Sequence, residues 1–454
     1  MCRTRAQKAT DYNSQISHTP DSTSLTFPLD KLSTLQRHAW GIPSSATSVV
    51  IRLAGDVADN QESVGFCIHT PPDDQENNEH HRYRYTHNAW SNAMICTGKP
   101  NVLTYVLARE LHELLQVPCK VQDIYDKAES VVFSSRPGSK CVVCRKWFGK
   151  GVRLWKPLPC GDGCSEIFES SAIDMRLSTL IGDSSAVDFI LSSVYQLAVE
   201  HETITAVAAN PQYAHYSEVQ GVQDRTALRL PGCPIPLNIL KSVIESFPPL
   251  SSATNWPELL DGSDEGRNRR KLLSWVSDQF HGLLATVPEI GQVANCGTAH
   301  QFLLVNSSVP RETAFSTHYG KRATVFHGTK AARIFSILTD GLKDLSQGTD
   351  NLYAFRAPGI YVSNQALVSL RRYTDIFTGW KNSQFQTHRI LFGCELVDSQ
   401  YSTHSQSWQH SFSDQSRVMI RSVFVVPDSE AAHFQNIGHE LEKKFKILHA
   451  KNIL

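Results

Sequence analysis

The pattern of apolar and polar positions predicts both helices and strands. Apolar runs typical of strands are found at 48–53 (SVVIRL), 389–397 (RILFGCELV) and 418–426 (VMIRSVFVV). Apolar residues recur at helical spacing at 102–115, 186–199 and 270–284. Together these patterns predict an α+β protein of several domains.

Changes in composition and in apolar periodicity along the chain predict four segments. These are a polar, disordered lead at 1–25, a mixed α/β segment of unassigned role at 26–130, a Cys-rich and mostly helical region at 131–290, and a strand-rich domain at 291–454. Five prolines between 231 and 249 indicate that helices in the third segment are short and joined by loops.

Composition narrows the class of protein. The 454 residues include 41% hydrophobic and 19% charged residues, as in a folded protein. Lys and Arg number 44, as do Asp and Glu, so nucleic-acid binding through bulk positive charge is not expected. Residues 301–454 carry 17 basic against 12 acidic residues, which mildly favours an anionic ligand. Because we find no long apolar run and no signal segment, we expect an intracellular protein, cytoplasmic or nuclear, without a membrane segment.

Four of the eleven cysteines form a cluster with metal-ligand spacing. Cys141, Cys144, Cys160 and Cys164 give C-x2-C-x15-C-x3-C. Two short Cys pairs separated by such a loop are typical of structural zinc, which takes four tetrahedral ligands. We also expect Gly161 and Gly163 to permit the tight turn of the second pair. The alternative is four reduced thiols without a metal.

A series of short motifs follows between Ala323 and Val426. A strand-like ATVF leads into His327-Gly328-Thr329, and a helical segment after it is predicted to end at Gly341 as a left-handed cap, with Leu342 packing back on the helix. Pro358-Gly359-Ile360-Tyr361-Val362-Ser363 then predicts a turn and a strand that carries a tyrosine. The strands at 389–397 and 418–426 complete the series.

This ordered set resembles the catalytic domains of the poly(ADP-ribose) polymerase superfamily. With the upstream cysteines, the chain looks like the mono-ADP-ribosylating branch that carries a Cys-rich segment before the catalytic domain. The resemblance implies a C-terminal ADP-ribosyltransferase fold of two packed, mainly antiparallel sheets. It also implies NAD as the co-substrate.

The resemblance assigns roles in NAD binding to the first two motifs. His327 corresponds to the histidine that hydrogen-bonds a ribose hydroxyl. Gly328 corresponds to the glycine whose backbone holds the nicotinamide amide, and Thr329 completes this cofactor-binding motif. Tyr361 corresponds to a tyrosine that stacks on the nicotinamide ring.

Three further positions follow from the family's spacing. Ser369, eight residues after Tyr361, corresponds to a serine that helps to hold the amide. A second stacking tyrosine is expected at 372, where this chain has Arg372, and we therefore assign the role to Tyr373. The third catalytic position, usually glutamate, falls at Gln409.

Because Gln409 is neutral, it cannot stabilise an oxocarbenium ion by charge, and polymer formation is not expected. The resemblance therefore implies transfer of a single ADP-ribose from NAD to a protein acceptor. One alternative is a catalytically silent domain of the same fold that binds NAD, ADP-ribose or a protein partner. Another is a zinc-dependent interaction protein.

Overall fold

A computed structural model of the chain describes residues 15–19, 22–43, 45–54, 65–70, 101–115, 119–134, 137–148, 152, 154–171, 173–209, 232–251, 254–294, 296–344, 359–397, 409–432, 434 and 436–454. It is a mixed α+β protein with two antiparallel sheets. Its contacts define two compact units, Met1–Phe148 with Trp155–Gly182, and Gly149–Leu154 with Asp183–Leu454. The predicted segment 131–290 thus contributes to both units.

The first unit contains an antiparallel sheet in which the strands follow one another in chain order. The strands are β1 (Ile16–Thr19), β2 (Ser22–Pro28), β3 (Ser48–Ala54) and β4 (Gly65–His69). The helices are α1 (Thr34–Trp40), α2 (Val102–Leu114), α3 (Val121–Val132), α4 (Asp162–Ser171) and α5 (Ile173–Leu180), with 3-10 turns at Leu29–Lys31 and Pro137–Ser139.

Alternating apolar residues bury one face of this sheet. Leu25 and Phe27 of β2 and Val49 and Ile51 of β3 are all fully buried, as period-two alternation requires. Residues 1–14 of the predicted lead lie outside the described residues. Residues 16–19 and 22–25 of that segment contribute to β1 and β2, because the apolar positions of β2 complete this core.

The second unit consists of helices followed by a mixture of helices and strands. Its helices are α6 (Ser184–Ala209), α7 (Leu237–Glu245), α8 (Trp256–Leu259), α9 (Asp264–Gln279), α10 (Val309–Ser316), α11 (Ile334–Asp340), α12 (Ala366–Tyr373) and α13 (Gly438–Ala450). Its 3-10 turns are Glu289–Gly291, Ala331–Arg333, Gln415–Arg417 and Asp428–Glu430. Its strands are β5 (Leu283–Thr286), β6 (His300–Asn306), β7 (Arg322–Gly328), β8 (Ile360–Ser363), β9 (His388–Val397), β10 (Gln409–Phe412) and β11 (Val418–Pro427).

The strands of the second unit form one seven-stranded antiparallel sheet in the order β10-β8-β7-β9-β11-β6-β5. The resemblance implied two packed sheets, whereas the described strands are hydrogen-bonded into one. Its two parts are joined weakly: β7 pairs with β9 along seven residues, but with β8 through the pair Phe326 and Ser363. The strands therefore diverge at the end of β7, where the His-Gly-Thr motif lies.

Two local predictions differ from the structure. The helical pattern at 270–284 ends at Gln279, and Leu283 and Leu284 belong to β5, because the backbone leaves the helical conformation at Phe280. Helix α11 ends before Gly341 as predicted and Leu342 is buried, but Gly341 has φ 74° and ψ −176°, which is not the left-handed helical cap.

A buried ion network crosses the middle of this sheet. Arg421 lies at an irregularity in the pairing of β11 with β9 and is 4% exposed. Its guanidinium donates to Glu312 of α10 at 2.8 and 3.1 Å and to Glu395 of β9 at 3.2 Å. His449 of α13 lies 2.5 Å from the same Glu395 carboxylate. Burial opposes ionisation of Glu395, but these partners lower its pKa to about 2.

Candidate functional site

The four predicted cysteine ligands lie together in the first unit. All four sulfur atoms are within 4.8 Å of one another, and Cys160 Sγ lies 3.6 Å from the sulfurs of both Cys144 and Cys164. A tetrahedral zinc site with Zn–S bonds of about 2.3 Å has sulfur atoms about 3.8 Å apart. The donor set and its spacing therefore fit a structural metal ion.

The first pair forms a tight knuckle. The backbone N–H groups of Val143 and Cys144 both donate to Cys141 Sγ at 3.4 Å, which orients this sulfur. Arg145 then takes a positive φ of 58°, which reverses the chain, and Cys141 N–H donates to the Lys146 carbonyl at 2.8 Å. Cys141 is fully buried in the core of the unit.

The second pair uses a helix instead of a glycine turn. Cys160 precedes α4 and Cys164 lies in its first turn, four residues later. The x3 spacing thus lets the first turn of the helix bring Cys164 Sγ to 3.6 Å from Cys160 Sγ. The predicted role of Gly161 and Gly163 is wrong, because neither has a positive φ and an added Cβ would contact nothing within 4 Å at either position.

The basic residue in the first knuckle has a structural partner. Arg145 donates to Glu110 of α2 at 2.7 Å, and Lys127 of α3 pairs with the same carboxylate. Glu110 is 3% exposed; burial alone would raise its pKa, but the two cations lower it. Arg145 therefore fixes the knuckle to α2. Because its charge is paired with Glu110, it does not support a nucleic-acid-binding surface.

The four thiols influence one another's ionisation. Desolvation would raise the pKa of Cys144, but hydrogen bonds from the Lys146 backbone and neighbouring thiols lower it. Desolvation and hydrogen bonds from the other three thiols raise the pKa of Cys160. Desolvation also raises the pKa of Cys164, although a hydrogen bond with Cys160 acts in the opposite direction. Charge on one sulfur opposes charge on the next. A divalent cation at the centre would remove this repulsion and let all four bind as thiolates.

In the second unit, His327 lies at the end of β7 and is half-buried. Its Nδ1 is 2.8 Å from the carbonyl oxygen of Tyr361 on β8. A carbonyl can only accept, so Nδ1 carries the proton and donates. Burial lowers the pKa of His327, partly opposed by this hydrogen bond, and keeps the ring neutral. Its Nε2 is therefore an acceptor for a hydroxyl group.

Gly328 is required by packing as well as by any ligand. A Cβ at this position would lie 2.2 Å from the Ser369 carbonyl oxygen and 3.1 Å from the Thr374 methyl group. Helix α12 therefore packs directly on the backbone of the motif. Ser369 is buried, and its hydroxyl donates to the Phe326 carbonyl at 3.0 Å. Thr329 follows Gly328 and is half-buried.

The tyrosines predicted to stack on nicotinamide lie on β8 and at the end of α12. Tyr361 and Tyr373 are both half-buried, and Arg372 is exposed. Tyr373 lies four residues after Ser369, so the two share a helix face, and that face is the one in contact with β7. Helical geometry thus favours Tyr373 over position 372 for a group that borders the motif.

Gln409 begins β10, the strand next to β8. Antiparallel pairing places Gln409 opposite Ser363 and Ser411 opposite Tyr361. An exposed Ser411 beside Tyr361 was not predicted, because its place depends on the strand register and the sequence before it offers no anchor. Gly359, with φ 130°, lets the start of β8 approach Phe412, where a Cβ would lie 2.9 Å from a backbone oxygen.

A second residue that the sequence did not reveal borders the motif. This residue is Asp375. Its Oδ1 accepts a hydrogen bond of 2.6 Å from the N–H of Ala331, which lies four residues after His327. The structure therefore brings together His327, Gly328, Tyr361, Ser369 and the backbone of Gln409 around the divergence of β7 and β8, with Asp375 at its border.

No protein-family model matches the chain, and a search of the curated proteins finds no match. Within the part of the chain that the structure describes, no helix is long and apolar enough to cross a membrane.

Proposed function

We propose that residues 291–454 form an ADP-ribosyltransferase domain that transfers a single ADP-ribose from NAD to a protein side chain. The observation that carries the proposal is the hydrogen bonding of His327 and the neutral form of its ring. Its Nδ1 is committed to the Tyr361 carbonyl, so a neutral ring offers Nε2 to a ribose hydroxyl. The order of the motifs and the pairing of β10 with β8 support the same assignment.

The reaction breaks the bond between nicotinamide and ribose, and its electron pair leaves with nicotinamide. The acceptor oxygen, nitrogen or sulfur then bonds to the sugar carbon, and the acceptor's proton passes to solvent. In this proposal His327 binds a ribose hydroxyl, while Tyr361 and Tyr373 enclose the nicotinamide ring. Gln409 lacks a charge to stabilise the positive sugar, and the loss of such a group costs about 10²- to 10³-fold in rate. An acceptor carboxylate would supply that charge itself.

The neutral Gln409 also supports a second candidate, a silent domain that binds NAD or ADP-ribose without transfer. Both candidates require that His327 contacts the ligand, NAD for transfer and NAD or ADP-ribose for the silent domain. They differ in whether nicotinamide is released. The four-cysteine cluster is assigned a structural zinc ion in either case, because four sulfur ligands leave no open position for a reactant.

NAD binding tests the assignment of His327. We expect NAD titrated into the wild-type chain in a calorimeter to bind, and His327→Asn to raise the Kd by about tenfold or more. Asparagine can still donate to the Tyr361 carbonyl but lacks an acceptor at the Nε2 position, so the variant should keep its fold. His439→Ala, at an exposed histidine, is the control. Equal affinity in wild type and His327→Asn would show that His327 does not bind the ligand.

A further inference from the structure

The end of β7 at His327-Gly328 and its link to the 3-10 turn Ala331–Arg333 are together called the His-Gly-Thr turn. Helix α12 and the two residues after it hold this turn from both sides. Before the turn, the Ser369 hydroxyl donates to the Phe326 carbonyl at 3.0 Å. After the turn, the Asp375 carboxylate accepts from the Ala331 N–H at 2.6 Å. Residues 327–330 therefore lie between two side-chain hydrogen bonds that come from one short segment.

Contacts with Gly328 fix the distance between this segment and the turn. The Ser369 backbone and the Thr374 methyl group lie so close that no side chain fits between them and Gly328. The turn is thus bounded on one side by backbone and at its two ends by hydrogen bonds. A shift of α12 would move the turn with it.

The end of α12 is itself anchored. Arg389 of β9 donates to the Thr374 carbonyl at 2.8 Å and to Asp428 Oδ1 at 2.5 Å. Through Arg389, these two bonds connect Thr374, the residue before Asp375, to β9 and to the 3-10 turn Asp428–Glu430. The carboxylate that holds Ala331 therefore extends from a residue whose preceding neighbour, Thr374, is fixed to the sheet.

The Ala331 amide needs such a partner. It is the first N–H of the 3-10 turn Ala331–Arg333, and the first amides of a helical turn have no acceptor within it. Ala331 is 4% exposed, so water cannot easily replace a missing acceptor. A carboxylate acceptor makes a stronger hydrogen bond than a neutral one.

We propose that Asp375 is a positioning residue of the NAD site, which acts by holding the Ala331 amide and with it the His327-Gly328-Thr329 turn. This inference rests on the proposed function. Asp375 acts through its acceptor oxygen on the protein backbone and touches neither substrate nor reacting atoms. Asparagine at this position should therefore replace it in large part, because its side-chain oxygen can accept the same hydrogen bond.

Two measurements on the full chain test this role. Hydrogen exchange followed by mass spectrometry reports the peptide that contains Ala331, and calorimetry reports the Kd for NAD. In Asp375→Ala we expect faster exchange at Ala331 and a Kd raised by about tenfold. In Asp375→Asn both values should return most of the way to wild type. Asp264→Ala, which removes an exposed carboxylate of α9, should change neither.

Each other outcome overturns the inference in a distinct way. Unchanged exchange in Asp375→Ala would show that the bond does not hold Ala331. Faster exchange with unchanged NAD affinity would show that the bond does not position the site. An Asp375→Asn variant as weak as Asp375→Ala would assign the effect to charge. If the wild type does not bind NAD, the proposed function fails and this role with it, while the exchange data still report the bond.

Discussion

Replacing Arg421 with methionine is expected to lower the free energy of unfolding by about 3–5 kcal/mol, because it removes the cation that two buried carboxylates share. Glu312 loses its ion pair with Arg421, whereas Glu395 keeps its contacts with Arg322 and His449. Glu312 and Glu395 are 7% and 3% exposed, and both accept from the Arg421 guanidinium. The measurement is urea unfolding of the second unit, followed by tryptophan fluorescence. The matched control is Arg417→Met, which breaks an exposed pair with Asp414 and should cost less than about 1 kcal/mol.

The loss in Arg421→Met should depend on pH with a definite sign. The wild-type fold lowers the pKa of Glu395 from 4.5 to about 2, so the stability from this ionised carboxylate is present above pH 4.5 and is lost as the pH falls toward 2. Without Arg421, the ionised Glu395 carboxylate contributes less to stability at neutral pH. The difference between wild type and variant should therefore shrink as the pH falls below 4.5. A difference no larger than that of Arg417→Met at pH 7 would contradict the account.

Removing the metal from the four-cysteine cluster is expected to destabilise the first unit strongly. Binding of structural zinc to small peptides contributes about 10–16 kcal/mol at pH 7, and that energy is folding energy where the site is absent from the unfolded chain. Here Cys141 and its neighbours Val142 and Val143 are part of the hydrophobic core. Loss of the ion should therefore loosen core packing as well as the knuckles.

The test is metal analysis of purified protein together with its thermal melt before and after chelation. We expect about one equivalent of zinc and a lower melting temperature after chelation. Cys144→Ser should lose the metal, whereas Cys119→Ser, outside the cluster but in the same unit, should retain it. Less than half an equivalent of metal in the wild type would count against the site.

The sequence predicted those strands whose signal is local. The apolar runs at 389–397 and 418–426 match β9 and β11 to within one residue at each end, because both strands are buried on two faces and most of their residues are apolar. The run at 48–53 matches β3 to within one residue because its alternate positions are apolar and buried. The helix predicted at 270–284 is too long, because Leu283 and Leu284 belong to strand β5. Two adjacent apolar residues are compatible with both helical and strand periodicity.

Long-range partners could not be read from the sequence. Arg421 interrupts an apolar strand, and its partner Glu312 lies 109 residues earlier, so only the fold brings them together. Nothing in the sequence distinguishes Asp375 from other exposed acidic residues, and only the structure shows its contact with Ala331. The four cysteines were predicted because metal ligands leave a regular spacing, although the helix that brings Cys164 to Cys160 was not.

The most direct test of NAD-dependent transfer uses NAD labelled either on the adenylate phosphate or on nicotinamide, incubated with the wild-type chain and a mixture of acceptor proteins. The account predicts that the adenylate label becomes covalently attached to protein as a discrete band without a polymer ladder, while the nicotinamide label is released in equal amount. His327→Asn should abolish both signals. Binding of NAD with neither attachment nor release would contradict transfer and leave the silent NAD-binding domain.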